Sequence, residues 1–88
     1  MAPVTIYTTP FCSYCMRAKG LLKRKEVPFK EIDISGSPEQ RSEMMKRANG
    51  RYTVPQIFIG ERHIGGSDEL HVLEAKGELD PILQNQAQ

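Results

Sequence analysis

The sequence is poor in features that mark several classes of protein. Its net charge is only +1, from 12 basic and 11 acidic residues, so it lacks the basic footprint of a nucleic-acid-binding protein. Its apolar runs are shorter than a membrane span, and the opening segment MAPVTIYTTP has no basic start followed by a long apolar run. We therefore expect no nucleic-acid partner, no membrane association, no signal peptide and a cytoplasmic location.

Cysteine is also scarce. The two cysteines, Cys12 and Cys15, are separated by Ser13 and Tyr14. A chain of 88 residues is long enough to fold around its own core without covalent staples. In a chain that is not secreted, such a pair favours redox or metal chemistry over a structural disulfide.

The pattern of apolar residues and turn formers predicts one α/β domain. Strands are predicted at 4–8, at 29–34 and in a hairpin over 54–66, with helices at 13–25, 37–50 and 67–77 and a short one from Asp80. The order β-α-β-α-β-β-α implies a mixed four-stranded sheet flanked by helices on both faces. The alternation of strand 29–34 slips in phase, which suits an edge strand, and we expect 84–88 to form a flexible tail.

Short signals mark the ends of two of these helices. Ser37 is predicted as the N-cap of the second helix, with Pro38 in its first position and Gln40 completing a capping box. Ser67 is predicted as the N-cap of the third helix. The residues expected to face inward from that third helix are Leu70, Leu73 and Ala75.

Cys12 is predicted at the junction between a buried strand and the start of a helix. Unpaired N–H groups and the positive end of the helix dipole stabilise a thiolate over a thiol at such a position. Cys15 lies one turn further into the helix and should face the core. An exposed nucleophile with a recessed partner is the arrangement of a thiol–disulfide exchange site.

A metal site and a structural disulfide are the alternatives for this pair. A zinc site needs four ligands, and His63 and His71 are the histidines that the sequence offers. Their separation from each other and from the cysteines matches no standard zinc spacing. The sequence therefore favours redox chemistry and predicts no metal site within one chain.

Three segments together indicate a family. CSYC at 12–15, TVPQIFI at 53–59 and IGGSDEL at 64–70 occur in this order across nearly the whole chain. With these segments the chain resembles the glutaredoxins, glutathione-dependent oxidoreductases with a thioredoxin-like fold. The resemblance implies a single glutaredoxin domain over 1–88 that acts as a monomer. It also implies reduction of glutathione mixed disulfides (deglutathionylation) and of protein disulfides.

The resemblance assigns roles to the residues of the CSYC segment. Cys12 would be the nucleophile that becomes glutathionylated, and a second glutathione would release it. Cys15 would be the resolving thiol for protein disulfides, and Tyr14 would line the glutathione site. The implied partners are glutathione and proteins that carry disulfides or glutathionylated cysteines.

The segment Thr53–Val54–Pro55 matches the loop that contains a cis proline in this family. A cis bond there exposes the backbone of the preceding residue. The N–H and C=O of Val54 would then pair with the cysteinyl backbone of glutathione, as an added strand pairs with a sheet edge.

A second loop matches the pocket for the γ-glutamyl group of glutathione. Gly66 would permit close approach of the ligand, and backbone N–H groups at the helix start would bind its carboxylate. Ser67 contributes to this helix start, and Asp68 would pair with the α-ammonium group. Without the other two segments, Ser67 and Asp68 would simply be favourable residues for a helix start.

The chain departs from the family pattern at Thr9. Many glutaredoxins have a lysine at this position that contacts the glycine carboxylate of glutathione. Arg51 and Gln56 are the available substitutes, and Arg51 is the better one because it is a cation. Loss of one exposed ion pair weakens binding by about 1 kcal/mol or less.

The second departure is Ser13, where dithiol glutaredoxins commonly have proline. Family members without this proline include some that hold a [2Fe-2S] cluster between two subunits. Two Cys12 thiolates and two glutathione thiolates would supply the four sulfur ligands. The alternative function is therefore a cluster-bridged homodimer that serves as an iron–sulfur carrier or redox sensor.

A thioredoxin-like reductase fed by a flavoprotein is a third interpretation. The chain contains no tryptophan, whereas thioredoxins typically place one beside the cysteine pair. The sequence therefore favours glutathione as the reductant.

Overall fold

Strands and helices follow one another in the predicted order in the computed structural model, which describes residues 2–85. The strands are β1 (Val4–Thr8), β2 (Lys30–Asp33), β3 (Gln56–Ile59) and β4 (Arg62–Gly65), and the helices are α1 (Ser13–Arg24), α2 (Pro38–Arg47), α3 (Ser67–Ala75) and α4 (Leu79–Asn85). Helix α4 includes residues 84 and 85, so the first part of the predicted tail is helical. Residues 86–88 of that tail lie outside the described residues.

The four strands form one mixed sheet in the order β2-β1-β3-β4. Strand β1 pairs with β2 in parallel, and β3 is antiparallel to both β1 and β4. Helix α1 makes the crossover between the parallel strands. The predicted mixed sheet is confirmed, and β2 lies at its edge, where its imperfect alternation is tolerated.

Helices cover both faces of the sheet, as predicted. Successive side chains of a strand point to opposite faces, so Ile6 and Ile57 join one core cluster while Tyr7 and Phe58 join the other. The first cluster includes residues of α1, α3 and α4, and the second includes Met44 of α2. This layering brings the start of α1 and the start of α3 to one side of the sheet.

The helix ends confirm one predicted cap and correct another. The Ser37 hydroxyl accepts the Gln40 N–H at 3.2 Å, as predicted for α2. The N-cap of α3 is Gly66 rather than Ser67, because the Glu69 carboxylate reaches back to accept the Gly66 N–H at 2.6 Å. Ser67 is instead the first residue of the helix.

Ala75 was predicted to face inward but is exposed. It lies five residues after the fully buried Leu70. At about 100° per residue this separation turns its side chain by roughly 140° from the buried face. Leu73, three residues after Leu70, packs against the core as predicted.

The loop before β3 contains the Thr53–Val54–Pro55 segment. The Val54–Pro55 peptide bond is cis, as the family resemblance implies. Within residues 2–85 no helix is both long enough and apolar enough to pass through a bilayer.

Candidate functional site

The thiol of Cys12 lies at the start of α1. Cys12 is the N-cap residue of this helix, and its Sγ accepts the backbone N–H of Cys15 at 3.2 Å. The same Sγ is 3.9 Å from the carbonyl oxygen of Val54. The first turn of α1 thus donates a backbone N–H to the Cys12 sulfur, and hydrogen bonds of this kind are stronger to an ionised acceptor than to a neutral one.

Cys15 is recessed behind Cys12. Its side chain is only 1% exposed, whereas Cys12 is half-buried. Burial raises the pKa of the Cys15 thiol to about 12, and the adjacent Cys12 side chain adds to this rise. The structure therefore places one accessible and one protected thiol together, which is the relation expected from the sequence.

A groove of about 270 Å³ lies beside Val54, on the same side of the molecule as the Cys12 thiol. Its lining residues are Tyr14, Arg51, Thr53, Val54, Pro55, Gly66, Ser67, Asp68 and Glu69. The residues predicted to bind glutathione are all in this set except Gln56, the alternative to Arg51. Three segments that are far apart in the sequence, the first turn of α1, the loop before β3 and the start of α3, therefore meet at one surface.

A larger cleft, of about 320 Å³, lies between β4 and α3. Its walls include the apolar side chains of Ile64, Val72 and Leu73. We take the smaller groove as the candidate site because Val54, in its wall, contacts the Cys12 thiol.

Glu69 is the groove residue that the sequence did not suggest. Its carboxylate accepts the Gly66 N–H, and this hydrogen bond holds the pKa of Glu69 below its usual range. It also lies 3.8 Å from the Arg51 guanidinium. A glutamate three residues after a helix N-cap is the signal for such a capping contact, and it applies to Glu69 only when Gly66, rather than the predicted Ser67, is the N-cap.

Gly66 in the groove wall and the adjacent Gly65 are tightly packed. A Cβ atom on Gly65 would lie 2.9 Å from the Glu69 carboxylate, and one on Gly66 would lie 3.2 Å from it. Gly65 also has a φ of +116°, which disfavours other residues. Another residue at Gly65 would therefore be strained by its backbone conformation, whereas one at Gly66 would need only a small shift of the Glu69 carboxylate.

Arg51 and Gln56, the two predicted substitutes for the missing lysine, have different surroundings. The Arg51 side chain is 44% exposed and lies over Gly65 and Gly66 at the α3 end of the groove. Gln56 is fully buried, and its amide is hydrogen bonded to Thr53 and His63. Gln56 is therefore not available to a ligand in the groove, and Arg51 is the cation of this site.

The two histidines that the metal alternative invoked are engaged with other protein groups. His63 Nε2 is 2.6 Å from the Gln56 amide oxygen, and His71 Nδ1 donates to the Ser67 carbonyl oxygen at 2.8 Å. Over residues 2–85 no three side chains of histidine, cysteine, aspartate or glutamate are grouped to hold a metal ion.

Comparison with known proteins places the chain in a family. The family model Glutaredoxin matches residues 4–64. The chain therefore belongs to the glutaredoxin family, whose members are thiol–disulfide oxidoreductases that use glutathione and have a thioredoxin-like fold. The predicted fold class and the general oxidoreductase activity are confirmed.

Similar proteins cover almost the whole chain. It is 58% identical over 83 residues to a glutaredoxin of Pseudomonas aeruginosa, which covers 94% of this chain and 98% of that protein. It is 56% identical over 84 residues to glutaredoxin 3 of Escherichia coli, and this match covers 96% of this chain and 100% of that protein. The solution structure of a glutaredoxin from Brucella melitensis has a TM-score of 0.85 at 53% identity, covering all of this chain and 94% of that one.

Two further solved structures concern ligands. One is a complex of buckwheat glutaredoxin with glutathione, which has a TM-score of 0.85 at 27% identity and covers 97% of this chain and 79% of that one. The other is described by the words "Metal Binding of Glutaredoxins" and has a TM-score of 0.74 at 55% identity. It covers 100% of this chain and 94% of that one.

Proposed function

We propose that this protein is a glutathione-dependent oxidoreductase that reduces glutathione mixed disulfides and protein disulfides through the Cys12 thiolate. The observation that carries this proposal is the position of Cys12 Sγ, which accepts the Cys15 N–H at 3.2 Å and lies 3.9 Å from the Val54 carbonyl oxygen of the groove wall. A ligand bound in the groove beside Val54 could therefore bring its own sulfur atom within reach of Cys12 Sγ.

The groove offers backbone and charged groups that suit glutathione. The Val54 carbonyl oxygen lies 3.9 Å from Cys12 Sγ, so the Val54 backbone would pair with the cysteinyl unit of the tripeptide. The first N–H groups of α3 suit a carboxylate, and the exposed Asp68 suits an ammonium group. A complex of glutathione with a related protein, that of buckwheat, supports this choice of ligand.

Arg51 is our candidate for a carboxylate of glutathione. Its guanidinium lies next to Gly65 and Gly66. The carboxylate that it would reach most directly is therefore that of the γ-glutamyl group at the α3 end of the groove, and not the glycine carboxylate for which the sequence suggested it. The contact with Glu69 at 3.8 Å orients the side chain towards this end. Tyr14, Thr53 and Pro55 would complete the apolar and backbone surface between this end and the thiol.

The proposed reaction with a glutathione mixed disulfide has two exchange steps. The Cys12 thiolate attacks the glutathione sulfur, the original S–S bond breaks, and the substrate leaves as a thiolate that takes a proton from solvent. A second glutathione thiolate then attacks the glutathione sulfur bound to Cys12. This step releases glutathione disulfide and regenerates the Cys12 thiolate.

For a protein disulfide, Cys15 takes part. The Cys12 thiolate attacks one sulfur of the substrate disulfide, the substrate S–S bond breaks, and the other sulfur leaves as a thiolate that takes a proton from solvent. The Cys15 thiolate then attacks Cys12 Sγ, which releases the first substrate sulfur as a thiolate and forms the Cys12–Cys15 disulfide. Two glutathione molecules reduce the resulting Cys12–Cys15 disulfide. Burial disfavours ionisation of Cys15. Cys15 therefore attacks only a sulfur atom that is already held next to it, here the Sγ of Cys12 in the mixed disulfide.

We further propose that the protein works as a monomer in the cytoplasm. Both cysteines and all of the groove come from one chain. The reaction consumes reduced glutathione, which a reducing compartment supplies.

The experiment that tests the function compares wild type with Cys12→Ser and Cys15→Ser in a glutathione-coupled reduction assay. Cys12→Ser should lose turnover completely, because the nucleophile is removed. Cys15→Ser should keep activity on a small glutathione mixed disulfide but lose it on a protein disulfide. Wild-type activity in Cys12→Ser would refute the mechanism.

A second candidate function is carriage of a [2Fe-2S] cluster by a homodimer. It is favoured by a 55% identical structure described as concerning metal binding of glutaredoxins. No cluster of metal-binding side chains occurs within the described part of one chain. However, the half-buried Cys12 of each of two chains, with two glutathione thiolates, would give the sulfur ligands that a cluster needs. The cluster would supply electron transfer or serve as cargo.

Anaerobic incubation with iron, sulfide and glutathione tests this second function. Visible absorption together with dimerisation on gel filtration is the expected result, and both should be absent from Cys12→Ser. Ser13→Pro is the matched variant, because it restores the residue common in dithiol glutaredoxins, and it should lower the yield of dimer. A colourless wild-type monomer under these conditions would exclude the carrier function.

A further inference from the structure

Gln56 is a fully buried polar side chain directly after the Thr53–Val54–Pro55 segment. Its amide nitrogen donates to the Thr53 carbonyl oxygen at 2.9 Å and lies 3.2 Å from the Thr53 hydroxyl. Its amide oxygen is 2.6 Å from Nε2 of His63. One side chain therefore connects the loop that borders the groove with strand β4.

The direction of these hydrogen bonds follows from the groups involved. A carbonyl oxygen only accepts, so the Gln56 nitrogen must face Thr53 and the Gln56 oxygen must face His63. Because that oxygen also only accepts, His63 must carry a proton on Nε2. Burial and the charge of Arg51 hold the pKa of His63 below its usual range, so the neutral Nε2–H form is favoured.

We propose that His63 and Gln56 act as positioning residues for the Thr53–Val54–Pro55 wall of the glutathione groove. His63 fixes the orientation of the Gln56 amide, and Gln56 fixes Thr53. Thr53 is bonded to Val54, whose carbonyl oxygen lies 3.9 Å from the Cys12 thiol. This inference deepens the proposed function and rests on it for the identity of the ligand.

A purely structural role for His63 is the competing explanation. Its ring stacks on Phe58 with a centroid distance of 4.9 Å, and the Arg47 guanidinium lies 4.1 Å from the same Phe58 ring. His63 is also paired with Phe58 across the strands. If this stacking were all that mattered, any planar apolar ring would replace His63 without effect on the groove.

Two substitutions of His63 separate these explanations. His63→Phe keeps a ring on Phe58 but removes the Nε2–H donor. His63→Gln loses the ring but places an amide N–H where Nε2–H was. The positioning role predicts that His63→Phe is the damaging change and His63→Gln the conservative one, whereas the stacking role predicts the reverse order.

The measurement is steady-state turnover of the mixed disulfide of glutathione and 2-mercaptoethanol. Loss of one hydrogen bond of ordinary strength should raise KM in His63→Phe by about three- to tenfold, with kcat close to that of wild type. His63→Gln should keep the wild-type KM. Ile59→Val, a methyl deletion on the opposite face of β3, is the control for a general loss of stability and should leave KM unchanged.

A second readout does not depend on turnover. The amide NMR signals of Thr53 and Val54 should shift in His63→Phe and stay near their wild-type positions in His63→Gln. Adding His63→Phe to Gln56→Leu should cause no further rise in KM, because Gln56→Leu already removes the hydrogen bonds that join His63 to Thr53.

The outcomes distinguish this inference from the proposed function. A KM in His63→Phe equal to that of wild type, or an equal rise in both His63 variants, would overturn the positioning role. Wild-type protein that is inactive with glutathione would overturn the proposed function alone, since the Thr53 and Val54 signals would still decide whether His63 and Gln56 position the loop.

Discussion

At the scale of single residues, Cys12 and Cys15 show how three positions along one helix change the chemistry of the same side chain. Cys12 precedes the first turn and accepts a backbone N–H at 3.2 Å, with part of its surface open to solvent. Cys15 points into the core, where water cannot solvate a thiolate, and its pKa is raised to about 12. The difference in exposure between the two thiols therefore follows from their positions on the helix, and it is the basis of the proposed division into nucleophile and resolving thiol.

This contrast predicts selective alkylation. Iodoacetamide at neutral pH should modify Cys12 of the folded protein rapidly and Cys15 very slowly, because Cys15 is both buried and protonated. Mass spectrometry of the two cysteine sites against time measures the difference. In concentrated urea both cysteines should react, which serves as the control, and equal rates in the folded protein would contradict the assignment.

At the scale of elements, the start of α3 depends on Glu69, a residue of its own first turn that caps the helix. The Glu69 carboxylate caps the Gly66 N–H at 2.6 Å and also contacts Arg51. The same three residues thus set the start of the helix and the charge at one end of the groove.

The cap predicts a pH-dependent contribution of Glu69 to stability. Glu69→Ala should lower the free energy of unfolding at pH 7 by about 0.5–1.5 kcal/mol, the usual net contribution of one hydrogen bond. The pKa of Glu69 is depressed in the folded protein. The stabilisation is therefore fully present above the unfolded pKa of about 4.3 and is lost as the pH falls through the lower folded value.

Urea denaturation at a series of pH values from neutral to acidic measures this effect. The difference in free energy of unfolding between wild type and Glu69→Ala should become smaller as the pH is lowered into the acidic range. Glu61→Ala, in the exposed turn between β3 and β4, is the matched control and should show little difference at any pH. A Glu69→Ala difference that is constant with pH would exclude the charged carboxylate as the cap.

The same helix shows where local sequence signals are insufficient. The residues Ser67, Asp68 and Glu69 are all favourable in a first turn, so the sequence narrows the start of α3 to one or two positions. Only the side-chain contact from Glu69 to Gly66 selects between them. The capping of α2 by Ser37 was predictable, because Pro38 and Gln40 restrict the register there.

At the scale of the whole molecule, Lys25 connects the end of α1 with the C-terminal helices. Its ammonium group lies 2.9 Å from the Glu74 carboxylate of α3 and 2.7 Å from that of Asp80 in α4. The Lys25 side chain is only 15% exposed, and the hydrogen bonds to Asp80 and Glu74 raise its pKa. Helices that cover one face of the sheet are thereby joined at their ends.

Replacement of Lys25 by methionine should lower the free energy of unfolding by about 1 kcal/mol, near the upper end for a partly exposed ion pair. Because the folded pKa is raised, the contribution is present below the unfolded pKa of about 10.4 and is lost as the pH rises through the higher folded value. High salt should reduce it by screening. Urea denaturation at neutral and alkaline pH, and at low and high salt, measures these effects.

Lys23→Met is the control for Lys25→Met. Lys23 is exposed in the last turn of the same helix, so its replacement removes a charge from the same end of the helix dipole. Lys23→Met should lower the free energy of unfolding by less than Lys25→Met does. Its effect should also depend less on pH in the alkaline range. Equal losses in the two variants would show that the links to Glu74 and Asp80 add nothing beyond the dipole.

The sequence by itself determined the order of the elements, the mixed sheet and the position of the Cys12 thiol at the start of α1. These features depend on hydrophobic period, turn residues and caps, which act over a few neighbouring residues. The tertiary structure alone decided that Gln56 is buried behind the groove while Arg51 faces it, that Glu69 caps Gly66 beside Arg51, and that His63 meets Gln56. Each of these depends on side chains brought together from separate segments, and their contacts are set by packing that no local pattern records.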